Sequence, residues 1–197
     1  MINIRKSKQS RILQGDVFKD VEYIEYVKEQ SGILEVSKIT FPLVVILSQD
    51  CDLEQDARSR RLKDSSLDQD KWLLSVLVAP LYNAEHVYQG EHLSEINLTM
   101  QKINKNRRPG ELLRNNETPR YHYLEFPPSI PVVPSVIDFK HYFAVNVRYL
   151  VSIKHRNFIC SVSPLFREDI SIRFANYLAR IGLPDFQFQK SNKSNNN

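Results

Sequence analysis

The stretch FPLVVILSQDCDL, residues 41–53, limits the fold more than any other part of the chain. Leu43 to Leu47 is apolar without interruption. A strand with one wet face would alternate, so this run is expected to be a central strand covered on both faces. Pro42 is expected to open it, at a position where a missing N–H is tolerated. The run ends in Ser48-Gln49-Asp50-Cys51-Asp52. A hydroxyl, an amide, a thiol and two carboxylates therefore leave the sheet together, at a strand end of the kind where sites are often built.

A chain of 197 residues can bury a core without disulfides or structural metal. Its two cysteines, Cys51 and Cys160, form no repeating framework and are read as reduced thiols. The basic N-terminus is followed by no apolar leader segment, and no run approaches the roughly 18 apolar residues that a membrane span needs. A cytoplasmic protein without a membrane partner is expected. The net charge is +4, from 27 basic and 23 acidic residues, a mild bias. The basic residues are clustered at Arg5 to Arg11, at Arg58 to Lys63 and at Lys102 to Arg114, where they form either solvated faces or phosphate-contacting surfaces.

The remaining elements follow from periodicity. Residues 1–10 read as a polar arm, and residues 11–188 as one domain with insertions at 54–70 and 83–120. Gly15-Asp16 is a turn or bulge signal. Val21 to Val27 and Ile33 to Ile39 alternate around Ser31-Gly32 and predict a hairpin. Trp72 to Leu81 predicts a second buried strand, paired with the first. Leu93, Ile96, Met100 and Ile103 recur at helical spacing and predict an amphipathic helix between Glu91 and Asn104, followed by the basic loop KNRRPGE. Tyr121 to Phe126, Ile137 to Val145, Val147 to Ile153 and Phe158 to Val162 read as strands. A last helix is capped at Ser163, opened by Pro164, striped by Ile170, Phe174, Leu178 and Ile181, and stopped at Gly182 and Pro184. Residues 189–197 read as a disordered tail.

Gly15-Asp16-Val17, Pro42 to Ser48 and Val76 to Leu81, in that order and followed by a terminal helix, resemble the MazF/PemK-like family of small SH3-like β-barrels. The resemblance covers about half the chain as spaced fragments. It implies an α+β protein built on an SH3-like barrel, with a helical insertion and a C-terminal helix. Members of that family are toxins of toxin–antitoxin pairs that dimerise and cut single-stranded RNA without a metal, using an arginine before the Pro-Val-Val strand and a threonine or serine after the Ala-Pro turn. Here Phe41 and Tyr82 stand at those places, with Lys38 and Thr40 the nearest polar residues on the first side. The resemblance implies a nucleic-acid-interacting protein of toxin–antitoxin or phage-defence type and metal-independent endoribonuclease chemistry. Single-stranded RNA is the implied substrate; an antitoxin or defence component, or a second copy of the chain, is the implied protein partner.

The residues carry this reading beside two others. Lys38, Thr40, Ser48, Asp50 and Cys51 are the catalytic candidates, with fixed donors stabilising the phosphorane. Arg107, Arg108, Arg114 and Arg120, with Tyr121 as an aromatic face, are the candidates for contacting unpaired bases and their phosphates. Alternatively, Cys51 is the nucleophile of a hydrolase with His122 or His141 as its base, or the barrel is a non-catalytic interaction module. Asp50, Asp52, Glu54 and Asp56 could face one way along an extended chain and bind a hard cation, or form turns and pair with the arginines that follow. Asp138 and His141 flank a strand start and could meet Asp50. The histidines have no zinc-ligand spacing with the cysteines, and HExxH, Walker and GxGxxG motifs are absent, so no metal and no cofactor are expected.

Overall fold

The computed structural model describes residues 1–62 and 68–180. Ile181, Gly182, Pro184, the tail at 189–197 and Lys63 lie outside the described residues. The fold is α+β: among the described residues, five α-helices accompany an antiparallel sheet that curls into a half-barrel. Its strands are β1 (Ile4–Arg5), β2 (Asp16–Gln30), β3 (Ile33–Ile46), β4 (Ser75–Asn83), β5 (Tyr121–Leu124), β6 (Ser135–Asp138), β7 (Phe143–Asn146) and β8 (Phe158–Val162). They run in the order β1-β8-β2-β3-β4-β6-β5, and β7 also pairs with β4.

The apolar run behaves as its lack of alternation requires. Val44, Val45 and Ile46 are wholly buried. Val45 and Leu47 enter one core cluster, closed by Ile170 and Phe174 of α5 (Pro164–Leu178). Val44 and Ile46 enter the opposite cluster, with Leu53 of α1 (Asp50–Ser59) and Val147 and Leu150 of α4 (Val147–Asn157). Pairing with β4 sets Val44 opposite Pro80 and Ile46 opposite Val78. Pro42 does not open the strand. Ile33 to Ile46 is one continuous element, and the missing N–H at Pro42 falls opposite Asp20, which bends away at φ 52°. The β2–β3 hairpin forms as expected. Its outer half leaves Val27 opposite Val36 in solvent, with Ile33 and Leu34 exposed beyond them.

Four expectations fail, one through long-range pairing and three for local reasons. Residues 1–10 are not a free arm: β1 pairs with β8, and Ile2 is buried. Glu91 to Asn104 is not a helix. Gly90 (φ 74°) and Asn97 (φ 60°) sit in the left-handed region and leave only a 3-10 turn at Ser94–Ile96, although Leu93, Ile96, Met100 and Ile103 still pack on a third cluster. The basic loop instead winds into α3 (Arg108–Arg114) behind Pro109, which is favoured in a first helical turn. Val147 to Ile153 is helix rather than strand, because Asn146 accepts hydrogen bonds from the N–H groups of Arg148 and Tyr149 and caps α4. Ser163 stands at the N-cap of α5 but makes no side-chain capping bond. Among the described residues no helix is long and apolar enough to cross a membrane.

Candidate functional site

The Ser48–Asp52 turn is where β3 passes into α1, and its polar groups are engaged in holding that junction. The Ser48 hydroxyl accepts from Leu77 N–H at 2.8 Å. Asp50 takes two 2.9 Å bonds from the Arg11 guanidinium and one from Gln14 N–H, and Arg167 lies 3.4 Å away. Partial burial alone would raise the Asp50 carboxyl, but Arg11 and Arg167 outweigh it and hold it below its ordinary value. Cys51 is exposed, with Gln49 and Asp52 as its polar neighbours. The proposed bases stand elsewhere, His122 beside Asp169 and His141 beside Asp138, so no thiol–imidazole pair forms. Burial pushes the Cys160 thiol up to about 12.

The other catalytic candidates do not join this turn. Lys38 is exposed and pairs with Glu22 at 2.5 Å, a bond that raises its pKa, while Thr40 lines a separate cavity. The acidic series also disperses, since residues two apart on a helix point to different sides. Asp56 is buried and binds Arg60 and the Leu73 N–H, so the series forms no cation site. Among the proposed nucleic-acid contacts, Arg107, Arg108 and Arg114 are exposed around α3. Arg120 is not available to a phosphate, because it is bound to Asp138, and Tyr121 packs against it at 5.0 Å.

Two constellations emerge instead. Around Asp50, an open cleft of about 560 Å³ is lined by Arg5, Arg11, Arg58, Arg61 and Arg167, with Asp50 and Glu54 as its acidic residues. Arg11 and Arg167 are taken up by Asp50; among the described residues Arg5 and Arg58 make no direct ion pair, and Arg5 acts on the Asp16 carboxylate only at longer range. This brings Arg58 and Arg61 of one basic cluster to Arg5 and Arg11 of another. The sequence shows both clusters but not their meeting.

The second constellation joins β4, β6 and the loop after α2 (Ala84–Gln89). Asp138 is wholly buried. Its Oδ1 accepts from Arg120 Nε at 2.8 Å and Lys140 N–H at 3.0 Å, and its Oδ2 accepts from Arg120 Nη2 at 2.5 Å. His141 Nδ1 lies 3.2 Å from the Tyr82 hydroxyl and 3.4 Å from Asp138 Oδ2. A proton on Nδ1 faces both oxygens, which favours the tautomer with Nε2 as acceptor. Burial lowers the pKa of His141 and of His92, and Asp138 only partly offsets this, so both rings are neutral near pH 7. Burial and the Asp138 charge keep Tyr82 a neutral phenol. His92 stacks edge-on to Tyr82 at 4.8 Å; its two ring nitrogens are buried without a hydrogen-bond partner, the His86 carbonyl facing the ring without completing a bond.

Ligand atoms of His92, Asp138 and His141 lie within 4.8 Å of one another. A cation does not fit there as the residues stand, because both oxygens of Asp138 are taken by Arg120 and a metal would have to displace the guanidinium. Asp138 and His141 do come together, but with Arg120 and Tyr82 and not with Asp50. Their spacing of three is visible in the sequence. His92 and Tyr82 carry no local signal.

His122 tests the burial argument by pH. Its ring is 1% exposed, and burial, aided by Arg173, drives its pKa down to about 3, although Asp169 lies at 4.0 Å. Between pH 6.5 and about 3 the unfolded chain binds a proton that the native protein refuses, so stability falls as pH falls. From pH 7 to pH 4.5 this residue is expected to cost about 2–3 kcal/mol. Urea midpoints of the wild type and His122→Phe should diverge over that range; parallel curves would refute the assignment.

The fold class is therefore an α+β protein with a curled antiparallel sheet. No protein-family model, curated protein or solved structure matches the chain.

Proposed function

We propose that this is a single-stranded nucleic-acid-binding protein of the toxin–antitoxin or phage-defence type, its curled sheet a divergent MazF/PemK-like, SH3-like barrel. The observation that carries binding is the arginine cleft: Arg5, Arg58 and Arg61 line one open groove beside the Arg11–Asp50–Arg167 ion pairs, an arrangement suited to a run of phosphates. RNA is the first ligand to test. On this reading an antitoxin, a defence component or a second copy has the exposed apolar outer half of the β2–β3 hairpin available to it.

A second reading, metal-independent strand cleavage, is favoured by neutral His141, whose Nε2 can take the proton of an attacking 2′-hydroxyl while Tyr82 donates one to the departing 5′ oxygen. The products are a cyclic phosphate and a 5′-hydroxyl. Tyr82 recovers its proton from His141 Nδ1, and exchange of the Nε2 proton with water then returns His141 to its Nδ1–H form.

Both readings are tested with one labelled RNA. Anisotropy against salt should give a log–log slope that Arg58→Ala with Arg61→Ala reduces by about 1.4, roughly 0.7 for each phosphate left without its arginine. An unchanged slope would move binding away from the cleft. The same samples in EDTA, assayed for cut ends, report cleavage, which His141→Ala should abolish without weakening binding.

A further inference from the structure

Beside the Asp138 network, and separate from the arginine cleft, lies a half-open and mainly apolar cavity of about 300 Å³. Phe41, Pro42, Leu43, Leu81, Leu93 and Ile96 supply its apolar walls. No lysine or arginine lines it, and Glu95 is the one acidic residue that does. A phosphate would find no counter-charge there. Of the polar groups at its surface, Asn83 already caps α2 and Ser135 already donates to the Val133 carbonyl. Those left to a ligand are the Tyr82 hydroxyl, whose proton is free when it accepts from His141, the Thr40 hydroxyl, the exposed His86 ring, and the buried nitrogens of His92, which complete no hydrogen bond although the His86 carbonyl faces the ring. Buried polar atoms without partners are rare enough in native proteins to require a cause. One imidazole presents a donor and an acceptor on opposite sides of its ring.

An apolar slot with uncharged donors and acceptors at its edge suits a flat, neutral heterocycle that carries its own donors and acceptors. We propose that this cavity is a nucleobase subsite, in which an unpaired base lies among Phe41, Leu43 and Leu93 and its edge is hydrogen-bonded by His92 and Tyr82. The proposal takes its ligand class from the nucleic-acid reading above. Arg120 and Asp138 are positioning residues: they hold His141, and through it the direction of the Tyr82 hydroxyl.

The test uses the four free ribonucleosides, which carry no phosphate, titrated into the full chain with ¹⁵N-labelled histidine. At least one nucleoside should shift the His92 ring nitrogens saturably, with an affinity unchanged by 0.5 M added salt, on the order of the concentration that masks phosphate contacts. It should be unchanged in the Arg58→Ala, Arg61→Ala variant and weakened about tenfold or more by His92→Phe, which keeps a ring in place without its nitrogens. Binding that survives His92→Phe, or no shift with any nucleoside, overturns the proposal. So does one-to-one uptake of Zn²⁺ by the same nitrogens. Nucleoside binding without RNA binding supports the subsite and removes the cleft reading, so the two fail separately.

Discussion

Replacing Arg120 by methionine is expected to lower the free energy of unfolding by about 3–5 kcal/mol, the usual cost of stranding a buried charge. Asp138 has no exposure, and Arg120 supplies hydrogen bonds to both of its oxygens. Without the guanidinium, the carboxylate keeps only the Lys140 N–H and a neutral imidazole. Urea unfolding followed through Trp72, the single tryptophan, measures the loss. Adding Asp138→Asn to the methionine variant should recover at least half of it, because a neutral amide can remain where a carboxylate cannot. If the double variant is as unstable as the single one, the effect comes from packing and not from the ion pair.

The second large effect is expected at Gly90. This residue ends α2 with φ 74°, and an added Cβ would lie 2.3 Å from the Met100 carbonyl oxygen. The Gly90 carbonyl also accepts from Met100 N–H, so the two backbones are tied together and cannot simply separate. Gly90→Ala combines left-handed strain of about 1–2 kcal/mol with overpacking of about 1–3 kcal/mol. A drop of roughly 2–5 kcal/mol should appear in the same urea assay. Because His92 follows two residues later, its ring signals should move as well. A variant with wild-type stability would show that the loop can shift without penalty.

These two positions differ in how far they can be read from the sequence. Gly90 is a local signal, a glycine that can end a helix in the left-handed region, but hydrophobic spacing over 91–104 gives no sign of the left-handed turn at Asn97 that breaks that segment. In the basic run Lys105 to Glu111 charge dominates the pattern, yet Pro109 marks a helix start. Asn146 is likewise a cap signal inside a segment with strand-like composition. In each case short-range backbone chemistry overrides side-chain periodicity.

The cores are legible for the opposite reason. Leu43 to Leu47 and Val76 to Leu81 have too many consecutive apolar residues for any exposed face, so burial on both sides and mutual pairing follow from the hydrophobic effect alone. The alternating hairpin, the strand at Phe158 to Val162 and the Pro164-opened helix are likewise determined by local pattern. The sites are not. Asp50 has the sequence context of a reactive group and is a tether for Arg11 and Arg167, while Arg120 has that of a phosphate contact and is the partner of a buried carboxylate. Tyr82, His92, Arg120 and Asp138 come from separate segments, and no spacing rule connects them. Pattern along a chain reports which atoms avoid water. Which polar groups then satisfy one another depends on where the curled sheet sets its strand ends, and that is decided only by the tertiary structure.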